Sequence, residues 1–148
     1  MEQSIFKTVK KLLGVGDDDP SFDLDITTHI NTAFSHLQQL GVGPRSGFVI
    51  EDDTANWTDF LPEPDPIPEN YIPILNAVKT NIALHTRLYF DPPQIWHILN
   101  AMTAQALESD TRLLMLAEQT NWTDPVPALT ETDEINELIM LLDSQVID

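Results

Sequence analysis

The sequence predicts an all-α protein, a small bundle of about four to five helices with a short irregular or β segment around residues 48–60. Apolar residues recur at helical spacing along most of the 148-residue chain. Glycine and proline interrupt this period between the helices. Helices with one apolar stripe each bury those stripes against one another, which is the arrangement of a helical bundle.

The first two helices are predicted from their apolar stripes and their ends. The first spans about residues 4–13 and ends at Gly14. The second spans about residues 24–40, and Gly41 follows it where a left-handed C-cap belongs, with Val42 as the accompanying apolar contact. The stripes consist of Ile5, Val9 and Leu12 in the first helix and of Ile26, Ile30, Ala33, Leu37 and Leu40 in the second.

Residues 45–70 are predicted to be irregular, with an exposed proline-rich loop at their end and room for only a short strand at Phe48–Ile50. A third helix is predicted over about residues 73–89 and a fourth over about residues 92–119. Their stripes are Ile74, Leu75, Val78, Ile82 and Tyr89 in the third helix, and Ile95, Leu99, Met102, Ala106, Leu113 and Leu116 in the fourth.

The junction between the third and fourth helices is predicted to be a rigid corner. Asp91 is suited to an N-cap, Pro92 to the first helical position, and Gln94 to the third position of a capping box. Phe90 and Ile95 occupy the two sites of a hydrophobic staple. Two prolines in succession cannot continue the helix before them.

A helical domain over residues 1–120 is expected to precede an acidic C-terminal extension, residues 121–148. The extension contains a predicted amphipathic helix after a proline-broken segment. Such a stripe either folds back onto the bundle or binds a partner. The stripe consists of Ile135, Leu138, Ile139, Leu142 and Val146.

The formal net charge of −17 argues against nucleic-acid binding by phosphate neutralisation, which needs lysine and arginine. It leaves two interpretations open, a solvated surface or a surface that repels or mimics DNA. The chain has no cysteine, which excludes disulfides and thiolate zinc sites. With no apolar run as long as a membrane span, a soluble, non-secreted protein without a membrane partner is expected. The first candidates for acids facing DNA are Asp17, Asp18, Asp19, Glu51, Asp52 and Asp53.

The sequence predicts no catalytic, metal-binding or cofactor-binding residue, no cofactor and no enzyme activity. The alternating acids from Asp17 onward lack the glycine and the glutamate of a calcium loop. His29 and His36 share one helix face, but no third ligand lies at metal spacing from them. His85, on the stripe of the third helix, is expected to be a hydrogen-bonded core residue, and no nucleophile or phosphate-loop motif occurs.

Several short motifs follow one another between residues 22 and 113. They comprise Asp25, Ile26, His29, Ile30 and Asn31; Gln39, Leu40, Gly41, Val42 and Gly43; Gly47 and Phe48; Trp57; Phe60; and Arg87, Leu88, Phe90, Asp91, Pro92 and Pro93. This ordered combination resembles the head–tail connector (adaptor) proteins of long-tailed, siphovirus-type bacteriophages. The resemblance marks Arg87, Phe90, Asp91, Pro92, Pro93, Gly41 and Gly43 as family-motif or corner residues.

The resemblance implies a structural virion protein that forms a ring, expected to have twelve subunits, under the portal and joins head to tail. Its implied partners are the portal protein, a head-closure (stopper) or tail protein, and copies of itself. DNA would pass through the channel without specific binding. The implied location is the virion neck, with assembly in the host cytoplasm, and the C-terminal stripe is a candidate portal or subunit interface.

Two features of the chain depart from the family pattern: the proline-rich loop at residues 62–71 and the acidic segment after Thr120. A different class of function also fits the charge, a free acidic protein that mimics DNA or inhibits a host partner. For Arg87, two roles are open. It either extends into solvent or forms an ion pair with an acid of the same or a neighbouring subunit, for which Asp91 is the candidate.

Overall fold

The computed structural model describes residues 3–61 and 69–118. This part of the chain contains four α-helices and one short 3₁₀ helix, which confirms the predicted helical bundle. The elements are α1 (Ile5–Leu12), α2 (Asp23–Gln39), the 3₁₀ helix (Trp57–Phe60), α3 (Tyr71–Phe90) and α4 (Trp96–Glu118). The predicted C-terminal helix and the prolines of the 62–71 loop lie outside the described residues.

Helix α3 lies between α2 and α4 and contacts both, while α1 contacts α2 and α3. The facing stripes of α1, α2 and α3 form one apolar core, to which α4 contributes Leu113. The fully buried side chains of this core are Ile5, Val9, Ile26, Ile30, Ala33, Leu37, Trp57, Ile74, Val78, Ile82 and Leu113. The helical periods of the sequence therefore identified most of the core. Tyr89 is 40% exposed in the last turn of α3, so the prediction that it belongs to the buried stripe was wrong.

The first helix begins as its sequence indicates, but its buried face is shifted from the predicted one. The Ser4 side chain caps α1 by accepting a hydrogen bond from the Lys7 N–H at 3.3 Å. Phe6 and Leu13 are buried, whereas Leu12 is exposed. Leu12 lies at the edge of the buried face, so the prediction that it belongs to the stripe was wrong.

The second helix ends in the predicted C-cap. The Gly41 N–H donates to the Gln38 carbonyl at 3.0 Å, and the Val42 N–H donates to the Leu37 carbonyl at 2.9 Å. Gly41 has φ +83°, the left-handed conformation that this pair of bonds requires. Val42 is buried, as the motif demands of the residue that follows the glycine.

No strand forms at residues 48–50, and the backbone of Ile50 is bonded instead to a side chain of α2. The Asn31 amide nitrogen donates to the Ile50 carbonyl at 2.9 Å, and its oxygen accepts from the Ile50 N–H at 2.7 Å. One asparagine on α2 thus replaces a partner strand. Among the described residues, the only β-type pairing is the isolated bridge between Ser4 and Asn56.

The corner between α3 and α4 differs from its prediction. Asp91 ends α3, and its N–H donates to the Arg87 carbonyl at 2.9 Å. Helix α4 begins only at Trp96, so the predicted N-cap at Asp91 and the capping box with Gln94 were wrong. The reason is steric, because Pro93 disfavours the α conformation of the residue before it, which is Pro92.

The predicted staple at the same corner is also absent. Phe90 packs edge-on against Phe22, with ring centroids 5.5 Å apart, and Ile95 is exposed. The Ile95 carbonyl accepts the first α4 hydrogen bonds, from the N–H groups of Ile98 and Leu99, both at 3.0 Å. The corner is therefore a break of several residues rather than a direct helix-to-helix turn.

Candidate functional site

Three motif residues after α2, namely Phe48, Trp57 and Phe60, pack with Phe34 of α2, and these four side chains are called here the aromatic cluster. Ring centroids in this cluster lie 4.8 Å (Phe34–Phe48), 5.2 Å (Phe34–Phe60) and 5.3 Å (Phe48–Phe60) apart. Gly43 has φ +94°, and a Cβ added there would overlap the Phe60 ring. These motif residues therefore act through packing. Position 43 requires glycine, both because φ is positive and because the Phe60 ring leaves no room for a Cβ.

The corner motif meets the motif at the start of α2. The His29 ring lies 6.0 Å from the Tyr89 ring and 6.3 Å from the Phe90 ring, measured between centroids. The Arg87 guanidinium lies 3.6 Å from the Asp91 carboxylate, one helical turn away, and both groups are partly exposed. The ion pair proposed for Arg87 thus forms within one chain.

The candidate DNA-facing acids lie in two loops that the fold brings to the same end of α2. The loop before α2 carries Asp17–Asp19, and the buried Lys10 ammonium contacts the Asp17 carbonyl at 3.4 Å and the Asp23 carboxylate at 2.8 Å. Asp23 also lines a shallow cavity of about 390 Å³ together with Glu51–Asp53. Lys10 and Asp23 thus link the two loops, whose acids are together called here the acidic surface.

Local hydrogen bonds keep part of the acidic surface ionised. The Ser21 hydroxyl and backbone N–H lower the pKa of Asp19, and the Thr54 hydroxyl and backbone N–H lower the pKa of Asp52. One cation lies at the rim, because Lys7 is 3.8 Å from the Asp53 carboxylate. The surface is therefore negative at neutral pH, although lysines of α1 offset some of its charge.

A second group of titratable side chains lies where α2, α3 and α4 meet. His36 on α2 places Nε2 at 3.0 Å from Asp110 Oδ2, and His85 on α3 places Nε2 at 3.0 Å from Asp110 Oδ1. Asn81 on α3 donates to Asp110 Oδ1 at 2.6 Å and to the Ser109 hydroxyl at 3.1 Å. We call His36, Asn81, His85 and Asp110 the polar cluster.

The polar cluster holds an ionised carboxylate in a largely buried place. Burial opposes the ionisation of Asp110, but hydrogen bonds from His36, Asn81 and His85 outweigh it and hold the pKa of that carboxyl below its usual value. Burial, together with the nearby charge of Asp110, raises the pKa of Tyr89. His85 is thus a hydrogen-bonded core histidine, as its position on the stripe predicted.

This cluster was not predicted from the sequence. The shared helix face pairs His36 with His29 on α2, whereas the structure places His36 beside two residues far along the chain, His85 and Asp110. The sequence contained one indication of the polar cluster. Asp110 lies on the apolar stripe of α4, between Ala106 and Leu113, where burying an unpaired charge would cost free energy. A carboxylate on an apolar stripe indicates a buried partner.

None of the helices in the described ranges, 3–61 and 69–118, is long and apolar enough to cross a membrane. In comparisons with known proteins, a family model described as phage connector protein matches residues 5–120. Curated proteins and solved structures give no match to the chain. The matched residues include all four helices, the aromatic cluster, the corner and the polar cluster.

Proposed function

The chain belongs to the phage connector protein family, and we propose that it forms a ring in the neck of the virion, under the portal, that joins the head to the tail. The observation that carries the proposal is the family match over residues 5–120, which spans most of the chain. The expected partners are the portal protein, a head-closure or tail protein, and further copies of the chain. A dodecamer is expected from the resemblance to head–tail connectors.

The charge of the chain supports a place beside a DNA channel. A net charge of −17 repeated around a ring would repel the phosphate backbone, so that the duplex passes without adhering to the wall. The acidic surface offers the first candidates for the channel lining, in its loops at Asp17–Asp19 and Glu51–Asp53. Lys7 pairs with Asp53 and Lys10 pairs with Asp23, so the charge of these two acids is partly neutralised. The exposed acids without a lysine partner among the described residues are therefore the stronger candidates for the channel lining.

Exposed apolar side chains on one side of α4 also support the proposed ring. Trp96 and Leu107 are strongly exposed, and their spacing of about three helical turns places them on the same side of the helix. Met115 is a further exposed apolar residue on this helix. Exposed apolar side chains at this density are typical of interaction surfaces, so we assign them to a neighbouring subunit in the ring. The C-terminal stripe at Ile135–Val146 is the proposed portal contact.

Deleting the gene from its phage and examining the resulting particles tests this function. A connector that joins head to tail is required for assembly, so we expect DNA-containing heads and free tails that do not join. Plasmid-borne wild-type protein should restore tailed particles. Normal infectious particles after deletion would overturn the proposal and favour the free acidic binding protein.

A matched pair of variants tests the α4 surface in the same complementation assay. Leu107→Asp places a charge on the proposed subunit contact, and Gln105→Asp places the same charge at an exposed position on another side of α4. We expect Leu107→Asp to fold but to restore fewer tailed particles than Gln105→Asp, by at least about tenfold. Equal restoration by two folded variants would remove this face from the ring interface.

A further inference from the structure

We propose that His36, His85 and Asp110 form a binding site for one divalent transition-metal ion of the zinc class, which joins helices α2, α3 and α4. The side chains come from three helices, and their ligand atoms all lie within 4.8 Å of one another. This inference is separate from the proposed function, because a connector ring needs no metal and a metal site does not by itself indicate a connector.

The donor geometry fits a single cation. Each Asp110 oxygen faces a different imidazole nitrogen at 3.0 Å, so an ion between the two imidazoles would also face the carboxylate. Ligand atoms bound to one zinc ion at about 2.0–2.2 Å lie roughly 3.3 Å apart in tetrahedral geometry. Small side-chain movements therefore suffice to convert the hydrogen-bonded arrangement into a coordinated one.

Metal binding requires an ionised carboxylate and one free nitrogen lone pair on each imidazole. Asp110 is ionised because its pKa is lowered by its hydrogen bonds. Each neutral imidazole carries one proton, which Nε2 donates to Asp110 in the hydrogen-bonded arrangement. Coordination needs the Nε2 lone pair, so this proton moves to Nδ1 of the same ring. A neutral histidine thus binds the ion without a net loss of protons.

The surroundings supply both an orienting residue and access. Asn81 is fully buried and donates at 2.6 Å to Asp110, the kind of outer contact that orients a ligating carboxylate. Within the described residues its side-chain oxygen has no hydrogen-bond partner, and its nitrogen makes the contacts to Asp110 and Ser109. The His36 side chain is 33% exposed, while His85 and Asp110 are 10% exposed, which leaves one open side for entry and for bound water.

The donor set determines the class of metal. Two imidazoles with one carboxylate suit zinc, cobalt, nickel or ferrous iron, whereas calcium and magnesium prefer oxygen ligands alone. The acidic surface would attract cations of any kind, but weakly and without imidazole ligands. Competition by excess calcium or magnesium therefore separates the two modes of binding.

The test uses the full-length, tag-free chain, stripped with EDTA and titrated with Zn²⁺ in millimolar Mg²⁺ by isothermal calorimetry. We expect saturable binding of one ion per chain. At about a hundredfold excess over the dissociation constant, Zn²⁺ should raise the melting temperature by roughly 5 °C or more. Co²⁺ should give visible absorption bands, whose intensity reports the coordination number of the bound ion.

Variants separate the polar cluster from other sites on the chain. His36→Gln removes the most exposed ligand and should weaken Zn²⁺ binding at least about tenfold, as should Asp110→Asn. His97→Gln alters an exposed histidine elsewhere and should bind as wild type does. Absence of saturable binding by the wild-type chain, or unchanged binding by a folded His36→Gln variant, would overturn the proposal.

Discussion

The aromatic cluster and the polar cluster share helix α2 but hold the fold in different ways. Phe34 and His36 are two residues apart on this helix, yet Phe34 packs among rings and His36 bonds to a carboxylate of α4. The aromatic cluster stabilises the fold by removing apolar surface from water, and this effect does not depend on the orientation of the groups. The polar cluster depends on donors and acceptors that match, so it fixes the relative positions of three helices.

The difference predicts different responses to change. Truncating a ring leaves a cavity, whose energetic cost scales with the volume lost. Changing one atom of the polar cluster leaves buried donors without an acceptor, so an isosteric substitution is already costly. The two clusters should also respond differently to pH, because only the polar cluster contains titratable groups.

The largest effect is expected at Trp57 in the aromatic cluster. Its side chain is fully buried, and its indole N–H donates to the Thr8 hydroxyl at 3.1 Å. Trp57→Ala should lower the free energy of unfolding by about 3–5 kcal/mol, measured by urea unfolding with far-UV circular dichroism. The control Trp96→Ala removes the same side chain from a site that is 71% exposed, and should change it by less than about 0.5 kcal/mol. Similar values for the two variants would contradict the assigned core.

A smaller effect is expected from Asp110→Asn in the polar cluster, measured in EDTA. The amide keeps the shape of the carboxylate but turns an NH₂ group toward one of the donors that Asp110 accepts from. The expected loss is about 1–3 kcal/mol of unfolding free energy, without loss of core volume. Asp91→Asn, which weakens an exposed ion pair, should cost less than about 1 kcal/mol. If Asp110→Asn costs no more than Asp91→Asn, the polar cluster does not hold the helices together.

Lowering the pH should remove part of the stabilisation that Asp110 provides. The pKa of Asp110 is lowered in the folded chain, so its stabilising effect is present above the usual carboxyl value of 3.8 and is lost as the pH falls through the folded value. The difference in unfolding free energy between wild type and Asp110→Asn should therefore shrink as the pH is lowered from 5 toward 2.5. Asp19 and Asp52 are common to both proteins and cancel in this comparison. A difference that stays constant over this range would contradict the assignment.

The smallest effect on stability is expected at the corner. Arg87→Ala breaks a partly exposed ion pair with Asp91 and should cost less than about 1 kcal/mol by urea unfolding. Arg112→Ala is the control, because it breaks an exposed pair of the same spacing with Glu108. If the corner contacts a neighbouring subunit, Arg87→Ala should reduce the yield of tailed particles more than Arg112→Ala does. Equal yields would assign Arg87 to a local role alone.

Features that depend on neighbouring residues in the chain could be predicted from the sequence. The stripe of α2, that of α3 as far as Ile82, and the C-cap at Gly41 follow from spacing and local conformation, and the structure confirms them. The start of α4 was mispredicted because Asp91, Pro92 and Gln94 fit a capping motif individually, while the restriction of Pro92 by Pro93 prevents it. Predictions from a single local motif thus fail where a second local constraint acts on the same residues.

Features that join distant residues could not be predicted from spacing. His36, His85 and Asp110 lie on three helices, and nothing in their separations along the chain brings them together. The bond of Asn31 to the Ile50 backbone similarly replaced a strand that local sequence allowed. The family resemblance, in contrast, rests on an ordered set of motifs, and the family match over residues 5–120 confirms it.

Cryo-electron microscopy of the neck in mature particles tests the proposed connector function most directly. We expect a ring of copies of this chain between portal and tail, with the helices α1–α4 fitting the density and acids of the acidic surface facing the channel. We also expect the exposed apolar side of α4 to contact a neighbouring subunit. A neck at side-chain resolution that contains no copy of this chain would overturn the proposed function.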